Sequence, residues 1–98
     1  INLQQMVALT SANPAELFGL KNKGTLQPGS DADICIFDPN IEWTMTASTL
    51  HMNTDFCPFE GKKVIGRAKT LLCRGEVVLR DFELCGSPLH GKRVFRQL

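Results

Sequence analysis

Between Lys21 and Gly24 the hydrophobic period of this chain changes, and no single kind of secondary structure fits both sides of the change. Before it, Leu3, Met6, Val7 and Thr10 recur at helical intervals and predict one apolar stripe. Asn13 and Pro14 then read as the cap and first residue of a second helix, with Glu16 placed to close a capping box, and Gly19 as its stop. Two short helices are expected over residues 1–22. Neither is long enough to bury its stripe against the other, so association through those faces is expected too.

After Gly24 the pattern becomes short β-rich runs parted by Gly, Pro, Asn and Asp. Ala32 to Phe37 reads as a strand, Asp38-Pro39-Asn40 as a turn, and Ile41 to Thr46 as a second strand. Leu50 to Lys69 shows little periodicity and is expected to be a long packed loop. Thr70 to Cys73 and Glu76 to Arg80 form the clearest hairpin, bent at Arg74-Gly75, where glycine supplies positive φ. The fold class is therefore mainly β with two short N-terminal helices.

Charge and hydropathy exclude several functions. Eleven basic and ten acidic residues leave a formal charge of +1, which gives no global field toward nucleic acid or an anionic membrane. The longest apolar runs fall far short of the roughly 20 residues that span a bilayer. With 43% hydrophobic residues the chain is expected to fold. It starts at Ile1 without a signal-peptide pattern and reads as a fragment.

No constellation of catalytic groups emerges. His51 and His90 each lack a second ligand at metal spacing; His51 reads as a hydrogen-bonding residue or a subunit contact, His90 as a solvated tail residue. Asp31 and Asp33 stand two apart but lack the further acids of a cation loop, and Asp33 is expected to cap local backbone amides. Ser30, Ser48 and Ser87 have no histidine nearby. The doublets Lys62-Lys63 and Lys92-Arg93 read as solvated, without aromatic partners. Cys35, Cys57, Cys73 and Cys85 form no Cys-x-x-Cys pair; Cys35 and Cys73 sit in apolar runs. Reduced structural thiols are expected, and with them a cytoplasmic setting.

The run Asn13-Pro14-Ala15-Glu16-Leu17-Phe18-Gly19-Leu20, then Gly24-Thr25-Leu26 and Gly29-Ser30-Asp31-Ala32-Asp33-Ile34 through Phe37-Asp38, resembles the amidohydrolase superfamily. His51, Asp55, Phe59-Glu60-Gly61, Gly66 and Cys73-Arg74-Gly75-Glu76 narrow the resemblance to hydantoinases and dihydropyrimidinases, whose Pro-Phe-x-Gly region usually differs from that of dihydroorotases and allantoinases. The match weakens after about Leu84.

The resemblance implies that residues 1–22 are terminal helices of a (β/α)8 barrel and that residues 23–98 belong to an accessory β-sandwich domain and tail. It implies a parent that opens cyclic ureides with water held between two divalent metal ions, usually zinc, in a homotetramer or other homo-oligomer. The family's ligands are histidines, a carbamylated lysine and an aspartate that precede this segment, so no catalytic, cofactor-binding or metal-ligating residue is expected here. Asp31 follows the Asn-Pro-Ala motif and is rejected as that aspartate. The loop around Phe56 to Gly61 is expected near the barrel or a subunit interface. The alternatives are a non-catalytic dihydropyrimidinase-like scaffold and a free-standing β-rich binding module.

Overall fold

The computed structural model describes residues 1–97. Residues 3–17 form one helical run rather than two helices: α1 (Leu3–Val7), a π-helical turn (Ala8–Ala12) and α2 (Asn13–Leu17) follow without a break. Asn13 is not a cap, because its backbone is helical (φ −64°, ψ −43°) and its N–H bonds to the carbonyl of Ala8, five residues back. Pro14 explains the wide turn. An α-helix would drive its ring into the carbonyl of Thr10 and leave that acceptor without a donor, and the extra residue of a π turn relieves both problems. The start lies at Asn2, where Asn2 Oδ1 accepts from Gln5 N at 2.8 Å and Gln5 Oε1 accepts from Asn2 N at 2.9 Å.

Gly19 does stop the run. Its φ of 64° lets Leu20 N bond to Ala15 O at 2.8 Å and Gly19 N to Glu16 O at 3.1 Å, the paired closure that ends a helix on a left-handed residue.

One antiparallel sheet makes up most of the rest, in the order β1 (Ile34–Thr44), β2 (Lys63–Cys73), β3 (Glu76–Arg80) and β4 (Glu83–Leu84). The two regions expected as strands of one unit do pair, with Ile34 opposite Leu72. Asp38-Pro39-Asn40, expected as a turn between strands, lies inside β1 as a bulge. Asp38 faces Arg67 and Glu42 faces Ile65, so residues 39–41 stand opposite Gly66 alone. A bulge costs Pro39 no ladder bond, and Asp38 Oδ1 accepts the Asn40 N–H at 2.9 Å. Gly66 has φ 94° and lies under the Phe37 ring; a Cβ there would come within 2.7 Å of Phe37 Cζ.

The hairpin forms as expected. Cys73 pairs with Glu76 across Arg74 (φ 46°) and Gly75 (φ 82°), the positive pair that a two-residue turn needs. Residues 63–69, expected within a loop, are instead the first half of β2. Gly66 and alternating basic residues break the apolar pattern there, and pairing with β1 overrides it. The true loop spans residues 45–62. It opens with a 3-10 turn (Ala47–Thr49) and is tied down by Met45 N to Lys62 O (2.9 Å) and Gly61 N to Met45 O (2.8 Å).

The core is sparse. Ala15, Cys57 and Leu79 are the buried hydrophobic residues among those described, and no large side chain is fully buried. The accessible surface is 7695 Å², against about 5,600 Å² expected of a folded monomer of this size. The radius of gyration is 15.1 Å, where about 12.6 Å is typical for this length. Much of the excess is apolar: Leu3, Val7, Leu17 and Phe18 on or beside the helix, and Ile36 and Ile65 on the sheet, are all at least half exposed or close to it.

Candidate functional site

Between the end of the helix and the start of β1, the chain folds back so that Asp31 N bonds to Asn22 O at 2.9 Å and Asp33 N to Asp31 O at 2.9 Å. These bonds bring both carboxylates onto Lys23. Its Nζ lies 2.8 Å from Asp31 Oδ2 and 2.5 Å from Asp33 Oδ2. The hydrogen bond to Asp31, then that to Asp33, raises the Lys23 ammonium above the ordinary lysine range. The Lys23 bond holds the Asp33 carboxyl below its usual range, against partial desolvation and with help from the Arg74 N–H. The cap expected of Asp33 is real but not local. Its Oδ1 accepts from Arg74 N at 2.9 Å, and Gly75 N bonds to Ala32 O at 3.0 Å, so this loop grips the tip of the β2–β3 hairpin. Both carboxylates serve one ammonium, which leaves Lys23 where a metal ion would have to sit.

His90 is not solvated as expected. Its Nδ1 lies 2.8 Å from Glu76 Oε2, its Nε2 lies 2.8 Å from Cys73 O, and its side chain is 25% exposed. Arg74 Nη2 donates to the His90 carbonyl. His51, at φ 51°, reaches Phe82 O through Nε2 at 3.2 Å, so its hydrogen-bonding reading holds. The two imidazoles thus face backbone carbonyls on different parts of the sheet.

Sequence spacing gave no sign of a third cluster. The Arg67 guanidinium lies between the Trp43 and Phe82 rings, 4.5 Å from each centroid, and donates to Thr49 O at 3.3 Å. Trp43 Nε1 donates to Gly66 O at 3.0 Å. Strands β1 and β2, the β3–β4 turn and the 45–62 loop meet there, and only the pairing of distant strands brings the residues together.

The remaining candidates are dispersed. Ser48 Oγ shares a hydrogen bond with Thr46 Oγ1, and Ser87 Oγ donates to Pro88 O. The basic doublets do have aromatic neighbours: Lys62 lies 5.8 Å from the Phe59 ring and Arg93 4.8 Å from that of Phe95. Cys35, expected as a core thiol, is exposed because its face of β1 is uncovered; Cys57 is buried. Among the described residues no group of three or more His, Cys, Asp or Glu side chains is placed to hold a metal ion, and no helix is long and apolar enough to cross a membrane. A cavity of about 770 Å³ opens between helix and sheet, lined by Met6, Val7, Pro14, Ile34, Phe37 and Val94 among others.

A helix closed on a left-handed glycine leads through a loop of paired aspartates into a bulged antiparallel sheet, an arrangement shared with solved hydantoinases. The amidohydrolase family signature matches residues 1–79, and the chain belongs to that family. It is 48% identical over 97 residues to the D-hydantoinase of Geobacillus stearothermophilus, covering 98% of this chain and 21% of that protein. It is 39% identical over 97 residues to the dihydroorotase of Pyrococcus horikoshii, covering 99% of this chain and 23% of that one. The solved L-hydantoinase (dihydropyrimidinase) of Arthrobacter aurescens superimposes with a TM-score of 0.91 at 36% identity, covering 98% of this chain and 22% of that one. The chain therefore spans about a fifth of the length of these relatives. The relatives it resembles thus include D- and L-hydantoinases and a dihydroorotase.

Proposed function

We propose that this chain is the carboxy-terminal part of a cyclic amidohydrolase of the hydantoinase and dihydropyrimidinase type, which hydrolyses the ring amide of hydantoins or dihydropyrimidines. The observation that carries the reading is the likeness to such enzymes along nearly the whole chain, joined to about 2,100 Å² of surface beyond that of a self-sufficient monomer. In this reading residues 1–22 end the barrel, residues from 23 onward belong to the accessory β domain, and the exposed faces of Leu3, Val7, Leu17 and Ile36 lie against the remainder of the chain.

The residues present do not fit a pair of divalent metal ions, zinc or other. Asp31 and Asp33 share the Lys23 ammonium, which occupies the space between them, and the ring nitrogens of His51 and His90 are taken up by Phe82 O, Cys73 O and Glu76. The ligands belong upstream, and this segment's part in the chemistry is to brace the fold that carries them. A cytoplasmic homo-oligomer is the setting that accompanies this reading, with free thiols in support.

The test is ring opening of dihydrouracil and hydantoin by the purified full-length protein, with metal content measured alongside. Turnover together with bound metal is the expected result. A folded, metal-free parent that opens neither ring would support a non-catalytic scaffold instead.

A further inference from the structure

The 45–62 loop closes its neck with its own residues. Met45 N bonds to Lys62 O at 2.9 Å, Gly61 N to Met45 O at 2.8 Å, and Ala47 N to Glu60 Oε2 at 2.8 Å. Beyond the neck its two halves are held differently. The second half turns back on itself, with Glu60 N on Cys57 O at 3.1 Å, and Cys57 is buried. Residues 51–56, by contrast, are exposed throughout. Among the described residues, two hydrogen bonds tie this first half to the sheet: Arg67 Nη2 donates to Thr49 O at 3.3 Å, and His51 Nε2 donates to Phe82 O at 3.2 Å.

Both bonds lead to Phe82. It supplies the carbonyl, and its ring is one of the two faces between which the Arg67 guanidinium lies, 4.5 Å from the centroid. The other face, Trp43, is fixed by its own bond from Nε1 to Gly66 O at 3.0 Å. Phe82 belongs to the two-residue turn between β3 and β4, where Arg80 faces Glu83, with φ 47° at Asp81 and 72° at Phe82. Asn-Gly or Asp-Gly is the pair that such a turn favours; a phenylalanine there crowds its Cβ against its own backbone. His51, at φ 51°, is left-handed too, so three of the six non-glycine residues with positive φ among those described meet at this one contact. Strain of this kind persists only where the surroundings hold it. The place of the ring against Arg67 is such a hold, and glycine would not supply it.

We propose that the β3–β4 turn is a latch for the 45–62 loop: Phe82 accepts backbone strain so that its ring holds Arg67 on Thr49 and its carbonyl holds His51, which keeps residues 48–56 in one conformation. When the latch is lost these residues come free together, while the neck and residues 57–62 stay in place. The proposal concerns contacts within this chain alone, so it stands apart from the catalytic reading and needs no substrate.

Asp55, exposed in the middle of the latched segment, gives the readout. An endoprotease that cuts before aspartate reports how often the surrounding chain opens. Cleavage between Thr54 and Asp55 in the folded full-length protein is followed by mass spectrometry. Phe82→Gly, which removes the ring but eases the turn, is expected to speed that cleavage about tenfold, the worth of one charge-assisted hydrogen bond. Arg67→Met, which keeps an apolar stem between the rings but has no donor for Thr49 O, is expected to do the same. Phe82→Tyr, which keeps a ring, and Gly19→Ala, which loosens the helix end instead, are expected to stay within about twofold of the unaltered protein. Equal cleavage of the unaltered protein, Phe82→Gly and Arg67→Met, whether fast or absent, would overturn the proposal. So would an increase in only one of those two variants, because the latch needs both residues. A Phe82→Tyr or Gly19→Ala protein cut as fast as Phe82→Gly would overturn it as well, since release would then follow from any loosening of the fold.

Discussion

The helical run over residues 3–17 and the β2–β3 hairpin close their backbone hydrogen bonds equally well, yet they differ in what their side chains touch. The helix is finished by its own residues, with Asn2 and Gln5 at one end and Gly19 and Leu20 at the other. Even so Leu3, Val7, Leu9 and Leu17 are 53 to 72% exposed, and only Ala15 is buried. The hairpin buries Leu79 to 8% exposure and is held by residues far away in sequence: Asp33 and Ala32 at its tip, Gly86 and His90 along its flank. Local sequence can satisfy the polar backbone, but only neighbours can cover an apolar face.

That difference predicts the largest mutational contrast in the molecule. Leu79→Ala is expected to lower stability by about 2 to 4 kcal/mol, because it removes the one large apolar side chain that is buried among the described residues. Leu17→Ala, at 72% exposure, is expected to change the chain's stability by under about 0.5 kcal/mol. Urea titrations of both variants check this. In the full-length parent the Leu17 effect is expected to rise to about 2 kcal/mol if the remainder of the chain covers the helix. Equal effects of the two substitutions in this chain would break the comparison, and an unchanged Leu17 effect in the parent would place the covering surface elsewhere.

Gly19 is where the two regions are joined, through the bond from Gln97, and a substitution there should act on both. An alanine Cβ would fall 2.4 Å from Gln97 O on a residue with φ 64°. Gly19→Ala is expected to cost about 1 to 2 kcal/mol and to increase amide exchange both in the last helical turn and along residues 94–97. Loosening of the helix end alone would show that residues 94–97 are anchored without it.

What the sequence disclosed follows the same division. The Arg74-Gly75 turn, the stop at Gly19 and the strand at Ile34 depend on nearby residues, and each was legible. The π turn was not, because Asn13-Pro14 fits a helix start as well as a helix interior, and the choice rests on the whole run from Asn2. The bulge at Pro39 was mistaken for a turn because only β2, opposite, shows that the strand continues. The hydrogen bonds around His90 and the sandwich around Arg67 depend on strand register between distant segments, which spacing along one chain does not encode. Asp33 fell between the two cases. Its capping role was visible, but the amide it caps lies 41 residues away.

The smallest expected effect lies in the loop between the two regions, where Lys23 joins Asp31 and Asp33. Asp33 is held below its ordinary range in the folded chain, chiefly by its hydrogen bond from Lys23, so its contribution is present above the unfolded carboxylate value and is lost as pH falls through the folded one. Lys23 is raised, first by Asp31 and then by Asp33, so its contribution is complete below the ordinary lysine value and disappears as pH climbs through the raised one. Both are intact across the neutral range, with losses at the acid and alkaline limits. Because the Asp33 side chain is 39% exposed, solvent screens the pair, and Asp33→Asn is expected to cost about 0.5 to 1 kcal/mol at neutral pH. Urea midpoints measured from acid to alkaline pH should show Asp33→Asn flattening the acid limb while much of the alkaline limb persists through Asp31. Lys23→Met should flatten both limbs. An acid limb unchanged in Asp33→Asn would mean that the loop grips the hairpin through the Gly75–Ala32 backbone bond alone, and the carboxylate adds nothing to that grip.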